Sequence, residues 1–292
     1  MRSSSATPRP RAPASWASDP VAAHPMTLFC SDVDGTLLDH RRTLSDRTVA
    51  AIRAVRSAGH TFVLCSSRMP ASLEGLERLC GVEPTPLIAY NGGLVLRADR
   101  SVVTDVAITP DDARAAYAVC ERLGLHASFF AGDDWYAWGP DEWSEREATI
   151  TAVDPSDESA HEYVATGRVD THPPHKVMAM GDPTLVDELE AALAGRPGLV
   201  TYRSKYTYLE IASAACSKGD GLQALANELG VAVEDTVFFG DNHNDVSAFA
   251  VAGTAVAVAN AVDPALDAAS VVTGHHREDG VAEYLEGWLA RA

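Results

Sequence analysis

Two carboxylates, Asp32 and Asp34, stand two positions apart where the apolar run Leu28-Phe29-Cys30 ends, and Gly35 and Thr36 follow at once. Side chains two apart in an extended backbone point the same way, so both can reach one substrate. One could attack phosphorus and carry it as an aspartyl-phosphate, while the other protonates the leaving oxygen and later deprotonates water. Taken alone, the segment also reads as a strand followed by an Asp-rich turn. Three further segments bear on the choice. Ser66-Ser67-Arg68 closes the apolar run Thr61-Phe62-Val63-Leu64-Cys65 and offers hydroxyls at a strand end. Lys218 opens a stretch with Leu222, Leu225 and Leu229 at helical spacing and Gly230 placed to end it. A lysine at the positive end of a helix dipole is relieved by an anion, either phosphate or carboxylate. Val237-Phe238-Phe239 runs into Gly240-Asp241-Asn242-His243-Asn244-Asp245, whose hard oxygens suit Mg²⁺ and leave His243 outside the ligand set.

The elements that must position these residues read as α/β. From Met26 to about Tyr90 the pattern is strand, helix, strand, helix, strand, which implies a parallel sheet with crossover helices. Ser45 can cap the first helix, Val49, Ile52 and Val55 share one face of it, and Gly59 can end it. Beyond the turn Asn91-Gly92-Gly93, strands are expected near Leu94, Val103, Ala127, Val177 and Tyr206 to Ile211. One helix begins at Thr109-Pro110 and another carries Leu185, Val186, Leu189 and Leu193.

In this order the four polar segments resemble the four signatures of the haloacid dehalogenase superfamily of phosphatases. Asn91-Gly92-Gly93, Val256-Ala257-Val258-Ala259-Asn260-Ala261 and Glu278-Asp279-Gly280-Val281 resemble its Cof-type branch, subfamily IIB. The resemblance implies a Rossmann-like core of residues 26–90 and 214–292, with an α+β cap of the C2B type inserted over 91–213 and packed over the active site. It implies Asp32 as nucleophile, Asp34 as acid and base, and Mg²⁺ held by Asp32, the backbone carbonyl of Asp34 and Asp241. Asp245 would stand behind the ion, orienting water or Lys218. Ser66, Ser67, Arg68, Asn91 and Asn244 would meet the phosphate or its leaving group. The family more often has threonine and then glycine where this chain has Ser66-Ser67. The implied partner is a small phosphorylated metabolite such as a sugar phosphate, pyridoxal phosphate or a flavin mononucleotide. Phosphomutase or phosphotransferase chemistry stays open, as does a non-catalytic sugar-phosphate sensor, although Asp32, Asp34, Lys218, Asp241 and Asp245 are all present. Replacing Lys218 with Ala is expected to slow the reaction and leave the fold intact.

Composition bounds the rest. At 292 residues with 46% hydrophobic and 22% charged residues the chain has the length of about two domains. A formal charge of -18 without a basic stripe argues against a nucleic-acid partner. No apolar run is long enough to span a membrane. Residues 1–25, rich in Ala, Pro, Ser and Arg, read as a disordered tail, and Met26 directly before the first strand is a candidate start. Five cysteines without CxxC spacing suit reduced thiols in the cytoplasm, and a monomer or weak homo-oligomer is expected without a residue pattern to decide between them. Trp135, Tyr136, Trp138 and Trp143 read as packing more than as a pocket wall. His172, His175 and Lys176 could touch a second phosphate, and His275-His276-Arg277 reads as a surface turn.

Overall fold

The computed structural model describes residues 26–81 and 84–291, so the tail expected over 1–25 lies outside the described residues. The chain opens with β1 (Leu28–Ser31), α1 (Asp46–Ser57), β2 (Thr61–Cys65), α2 (Pro70–Cys80) and β3 (Leu87–Ala89), then turns back through β4 (Leu94–Leu96) and β5 (Val102–Asp105). Next come α3 (Pro110–Leu123), β6 (His126–Ala131), β7 (Asp134–Tyr136), α4 (Glu142–Thr151), α5 (Ala160–Ala165) and α6 (Arg168–Thr171). They are followed by β8 (Lys176–Met180), α7 (Pro183–Leu193), β9 (Leu199–Lys205) and β10 (Tyr208–Ser213). The last third holds α8 (Lys218–Leu229), β11 (Thr236–Gly240), α9 (Val246–Phe249), β12 (Thr254–Val258), α10 (Asp263–Ala268), β13 (Val271–Thr273) and α11 (Gly280–Leu289).

Eight strands form one sheet in the order β13-β12-β11-β1-β2-β3-β4-β5, and five form a second in the order β7-β6-β8-β10-β9. The first sheet is parallel from β13 through β3. Strand β1 is buried along its whole length because helices cover both faces. Phe29 packs with Ile52 and Val55 of α1 and with Val281 and Leu285 of α11. Leu28 and Cys30, pointing the other way, pack with Leu222 and Leu225 of α8. Burying a side chain of this size contributes about 1.5–3 kcal/mol each. The helix starts follow their caps: Ser45 accepts from Thr48 N at α1, and Thr109 accepts from Asp112 N at α3, with Pro110 in the first turn.

Two strands expected in the insertion lie elsewhere. Those near Leu94 and Val103 belong to the core sheet, with Ile88 opposite Val95 and Val95 opposite Thr104 in antiparallel register. Val95 buries beside Ile88, Leu222 and Leu225, so this hairpin satisfies the free edge of β3 and extends its apolar face. The chain departs for the second sheet only after Asp105.

One face of that second sheet packs Ala127, Phe129, Val177, Leu209 and Ile211 against α3, α5 and α7 through Ala116, Tyr163, Val186 and Leu189. The opposite face, carrying Phe130, Met178 and Tyr208, joins the hydrophobic cluster of the core. Trp135 stacks on Phe130 at 5.3 Å and Tyr136 on Tyr163 at 4.2 Å, so both are buried packing as their size suggested. All five cysteines are buried and unbridged. Among the described residues no helix is long and apolar enough to cross a membrane.

Candidate active site

Strand β1 has β2 on one side and β11 on the other, so successive connections diverge at its carboxyl end. Such a switch point leaves a crevice outside the strand ends, the usual place for a ligand in an open α/β sheet. Asp32 follows β1, Ser66 follows β2 and Asp241 follows β11. With Asp34, Ser67, Asn242, His243 and Asn244 they line a cavity of about 430 Å³, closed on its far side by Thr201, Tyr202, Arg203 and Glu210 of the second sheet.

The turn after β1 aims the two carboxylates. Asp32 N still donates to Phe239 O at 2.9 Å, and then Leu37 N and Leu38 N both return to Val33 O. Gly35 sits at φ +90, and a β-carbon there would lie 2.5 Å from Asp241 Oδ2, so the position admits no side chain. Asn260 Nδ2 holds the carbonyl of Gly35 at 2.8 Å, and Thr36 Oγ1 donates to Asp241 Oδ1 at 2.9 Å.

Lys218, at the start of α8, is fully buried. Its Nζ donates to Asp32 Oδ1 at 2.5 Å and to Asp245 Oδ1 at 2.6 Å. Burial works against this ammonium, but Asp245 and Asp32 outweigh it and hold the amine protonated well above its ordinary range. The buried pairing revises the expectation that Lys218→Ala would leave the fold intact, because its loss strands two desolvated carboxylates. Asp245 Oδ2 accepts from Asp241 N at 2.8 Å and Asn242 N at 2.9 Å. Both oxygens of Asp245 are therefore engaged by the protein, one by Lys218 and the other by the backbone after β11.

Oxygens of Asp32, Asp241 and Asp245 lie within 4.8 Å of one another. Burial pushes Asp32 up, Lys218 pulls it down, and Asp245 with Asp241 push it up again, for a net rise well above the usual carboxylate range. Burial followed by Asp245 raises Asp241 to about 6. Three carboxylates thus share one ammonium, and the surplus negative charge and all-oxygen donor set fit a hard divalent cation.

Asp34 is held differently. Arg68 grips it with Nε to Oδ2 at 2.7 Å and Nη2 to Oδ1 at 2.8 Å, and Arg42 Nη2 reaches Oδ1 at 2.6 Å. Burial works to raise this carboxyl, but the Arg68 bonds and the Arg68 and Arg42 charges keep it below its ordinary value. Ser66 is buried at the cavity, its Oγ accepting from Arg68 N at 3.3 Å. Asn91, expected to meet substrate, stands one layer back. Its left-handed backbone, φ 55, turns the amide between Glu210 and Asn244.

His172 and His175 are not brought to the site; they line a separate cavity with Leu94, Asp105 and Gly132. His175 stacks on Tyr90 at 4.9 Å and meets Asp105 at 3.1 Å. Lys176 comes nearer, donating to the Ser67 carbonyl at 3.2 Å. In the expected surface turn at 275–277, His276 is tied to the Leu38 carbonyl at 2.7 Å. Glu210, Arg42, Thr36 and Asn260 were not singled out from sequence for the site. Glu210 had a signal, a lone charge inside the apolar run Tyr208-Leu209-Glu210-Ile211, and so did Asn260, a polar residue just past β12.

A family model described as haloacid dehalogenase-like hydrolase matches residues 29–285. A candidate phosphatase of Haemophilus influenzae is 31% identical over 261 residues, spanning 88% of this chain and 95% of its own. The pyridoxal phosphate phosphatase of Escherichia coli is 25% identical, over 90% of this chain and 98% of that protein. A solved haloacid dehalogenase-like hydrolase from Bacteroides thetaiotaomicron superposes with a TM-score of 0.82 at 23% identity, covering 90% of this chain and 99% of that one, a likeness of fold.

Proposed function

We propose that this chain, which belongs to the haloacid dehalogenase-like hydrolases and to their Cof-type branch, is a Mg²⁺-dependent phosphatase of small phosphate monoesters working through an aspartyl-phosphate. The observation that carries the reading is the placement of Asp32, with one oxygen on Lys218 and the carboxylates of Asp241 and Asp34 sharing its cavity.

Lys218 engages Oδ1 of Asp32 and leaves Oδ2 for in-line attack on phosphorus. As the new bond from Asp32 to phosphorus forms, the bond to the leaving oxygen breaks and Asp34 delivers a proton to that oxygen. Water then attacks the aspartyl-phosphate, gives its proton to Asp34, and inorganic phosphate departs with Asp32 restored. Asp34 is paired with two guanidiniums before substrate arrives, so it holds a proton only after they loosen. The incoming phosphate competes for Arg68 and Arg42 and frees Asp34 for its acid role. Ser66, Lys218 and Asn244 stabilise charge on the equatorial oxygens.

Asp32, the Asp34 carbonyl and Asp241 would hold the Mg²⁺, which when bound supplies positive charge against the transferring phosphoryl group and relieves carboxylate repulsion. Chelation should therefore abolish phosphate release, and added Mg²⁺ should restore it. At a hundredfold excess over its dissociation constant the ion should also stabilise the fold by about 2.7 kcal/mol, read as a rise in melting temperature. Full turnover in excess chelator would sink the metal assignment.

Residues 106–213 form the cap in this reading, and residues 26–105 with 214–291 the core. The cap side of the cavity offers the hydroxyl-bearing Thr201 and Tyr202, while Trp135 and Tyr136 are buried elsewhere. That lining favours a hydroxylated leaving group, with sugar phosphates first. Phosphate release across a metabolite panel, with the Asp32→Asn protein as the blank, tests the assignment.

A further inference from the structure

We infer that Glu210, reaching down from β10 of the cap, is a positioning residue that orients Asn244 through Asn91, so that the catalytic loop is set only while the cap is seated. The inference rests on the phosphatase reading for the role of Asn244, but its geometry stands on its own. Glu210 is buried and accepts from Asn91 Nδ2 at 2.7 Å. Asn91 Oδ1 in turn accepts from Asn244 Nδ2 at 3.0 Å. A carboxylate only accepts, so the NH₂ of Asn91 must face Glu210 and its oxygen must face Asn244. Asn244 is then held by its own NH₂, and one of the two flips of each amide is selected from the cap inward. Three segments remote in sequence meet in this relay: the end of β3, a cap strand and the loop after β11.

The turn bearing Asn91 is built to report on the cap. Tyr90 and Asn91 are both left-handed, at φ 51 and 55, a conformation that the bulky Tyr90 in particular adopts only where contacts hold it. Contacts on two sides hold it. On the core side Asn91 N donates to Ser66 O at 2.9 Å and Tyr90 N to Arg68 O at 3.2 Å. At Gly92, φ +94, a β-carbon would lie 2.1 Å from the Ser217 carbonyl, so the turn lies directly on the start of α8 beside Lys218. On the cap side the Tyr90 hydroxyl donates to Gly132 O at 2.6 Å, and its ring stacks on His175. When the cap withdraws, Asn91 loses its acceptor, and nothing then selects the flip that turns its oxygen to Asn244.

A double-mutant cycle tests this, with phosphate release as the rate and the Asn244 side-chain amide resonance, assigned by its loss in Asn244→Ala, as a readout that needs no turnover. Glu210→Ala should lower kcat at least about tenfold and shift the resonance, yet change kcat less than about twofold in the Asn244→Ala background. Glu210→Gln, which keeps an acceptor oxygen, should stay within about threefold of wild type. If Glu210→Ala does not fold, Asn91→Asp takes its place, since it keeps the left-handed turn but sets a carboxylate against Glu210. It should match the Glu210→Ala loss. Additive losses, an unmoved resonance, or Glu210→Gln failing as badly as Glu210→Ala would each overturn the relay. A wild-type protein that releases no phosphate from any monoester, with the resonance still responding, would defeat the phosphatase reading alone.

Discussion

Asp32→Asn should lower phosphate release by about four orders of magnitude or more while the protein folds as before. The amide matches the carboxylate in shape but cannot attack phosphorus. Lys218 keeps its bond to Asp245 at 2.6 Å, so the ammonium is not stranded. Removing one of three crowded carboxylates also relieves repulsion from Asp241 and Asp245, so the variant should melt at or above the wild-type temperature. Quenching wild-type turnover should trap hydroxylamine-sensitive phosphate on the peptide holding Asp32, and the variant should trap none. Turnover within tenfold of wild type would falsify the covalent route.

Lys218 should behave in the opposite way, losing both stability and activity. Lys218→Met keeps most of the volume but leaves Asp32 and Asp245 buried with no counter-charge, which costs about 3–5 kcal/mol for a broken buried pair. The sign of its pH dependence follows from the carboxylates. Asp32 already lies above the usual carboxylate range against the pull of Lys218, so without the ammonium it rises further, and the folded state binds more protons than the unfolded one across the mildly acidic range. Stability is then largest below the ordinary carboxylate pKa and falls as pH rises through the raised one. Without divalent metal, the variant should recover melting temperature as pH is lowered from neutral towards 5. An equal deficit across that range would show that the carboxylates do not carry the penalty.

Much of the candidate site was legible because several of its groups sit at the ends of short apolar runs, where residue order alone says which side chains leave the sheet together. Asp32, Ser66 and Asp241 belong to that class and line the cavity, while Lys218, opening a helical stretch, and Asp245 stand directly behind it. The cap border was not legible in the same way. Leu94–Leu96 and Val102–Asp105 read as strands in either sheet, and only the open edge of β3 decides between them. Partnerships over long sequence separations were hidden too. Nothing local to Asp34 announces Arg68, and nothing near Asn91 announces Glu210, 119 residues away.

The hairpin β4–β5 sets where a foreign lid could be grafted onto this scaffold. A chimera joined at Asn91 would strip both strands, uncover Ile88 and discard Val95, leaving a sticky edge prone to pairing with other molecules. Splicing after Asp105 and before Ala214 keeps that edge sealed and leaves the stub that receives Lys218 undisturbed. A lid spliced there must bring its own acceptor for Asn91, because the exchanged segment carries Glu210 away with it.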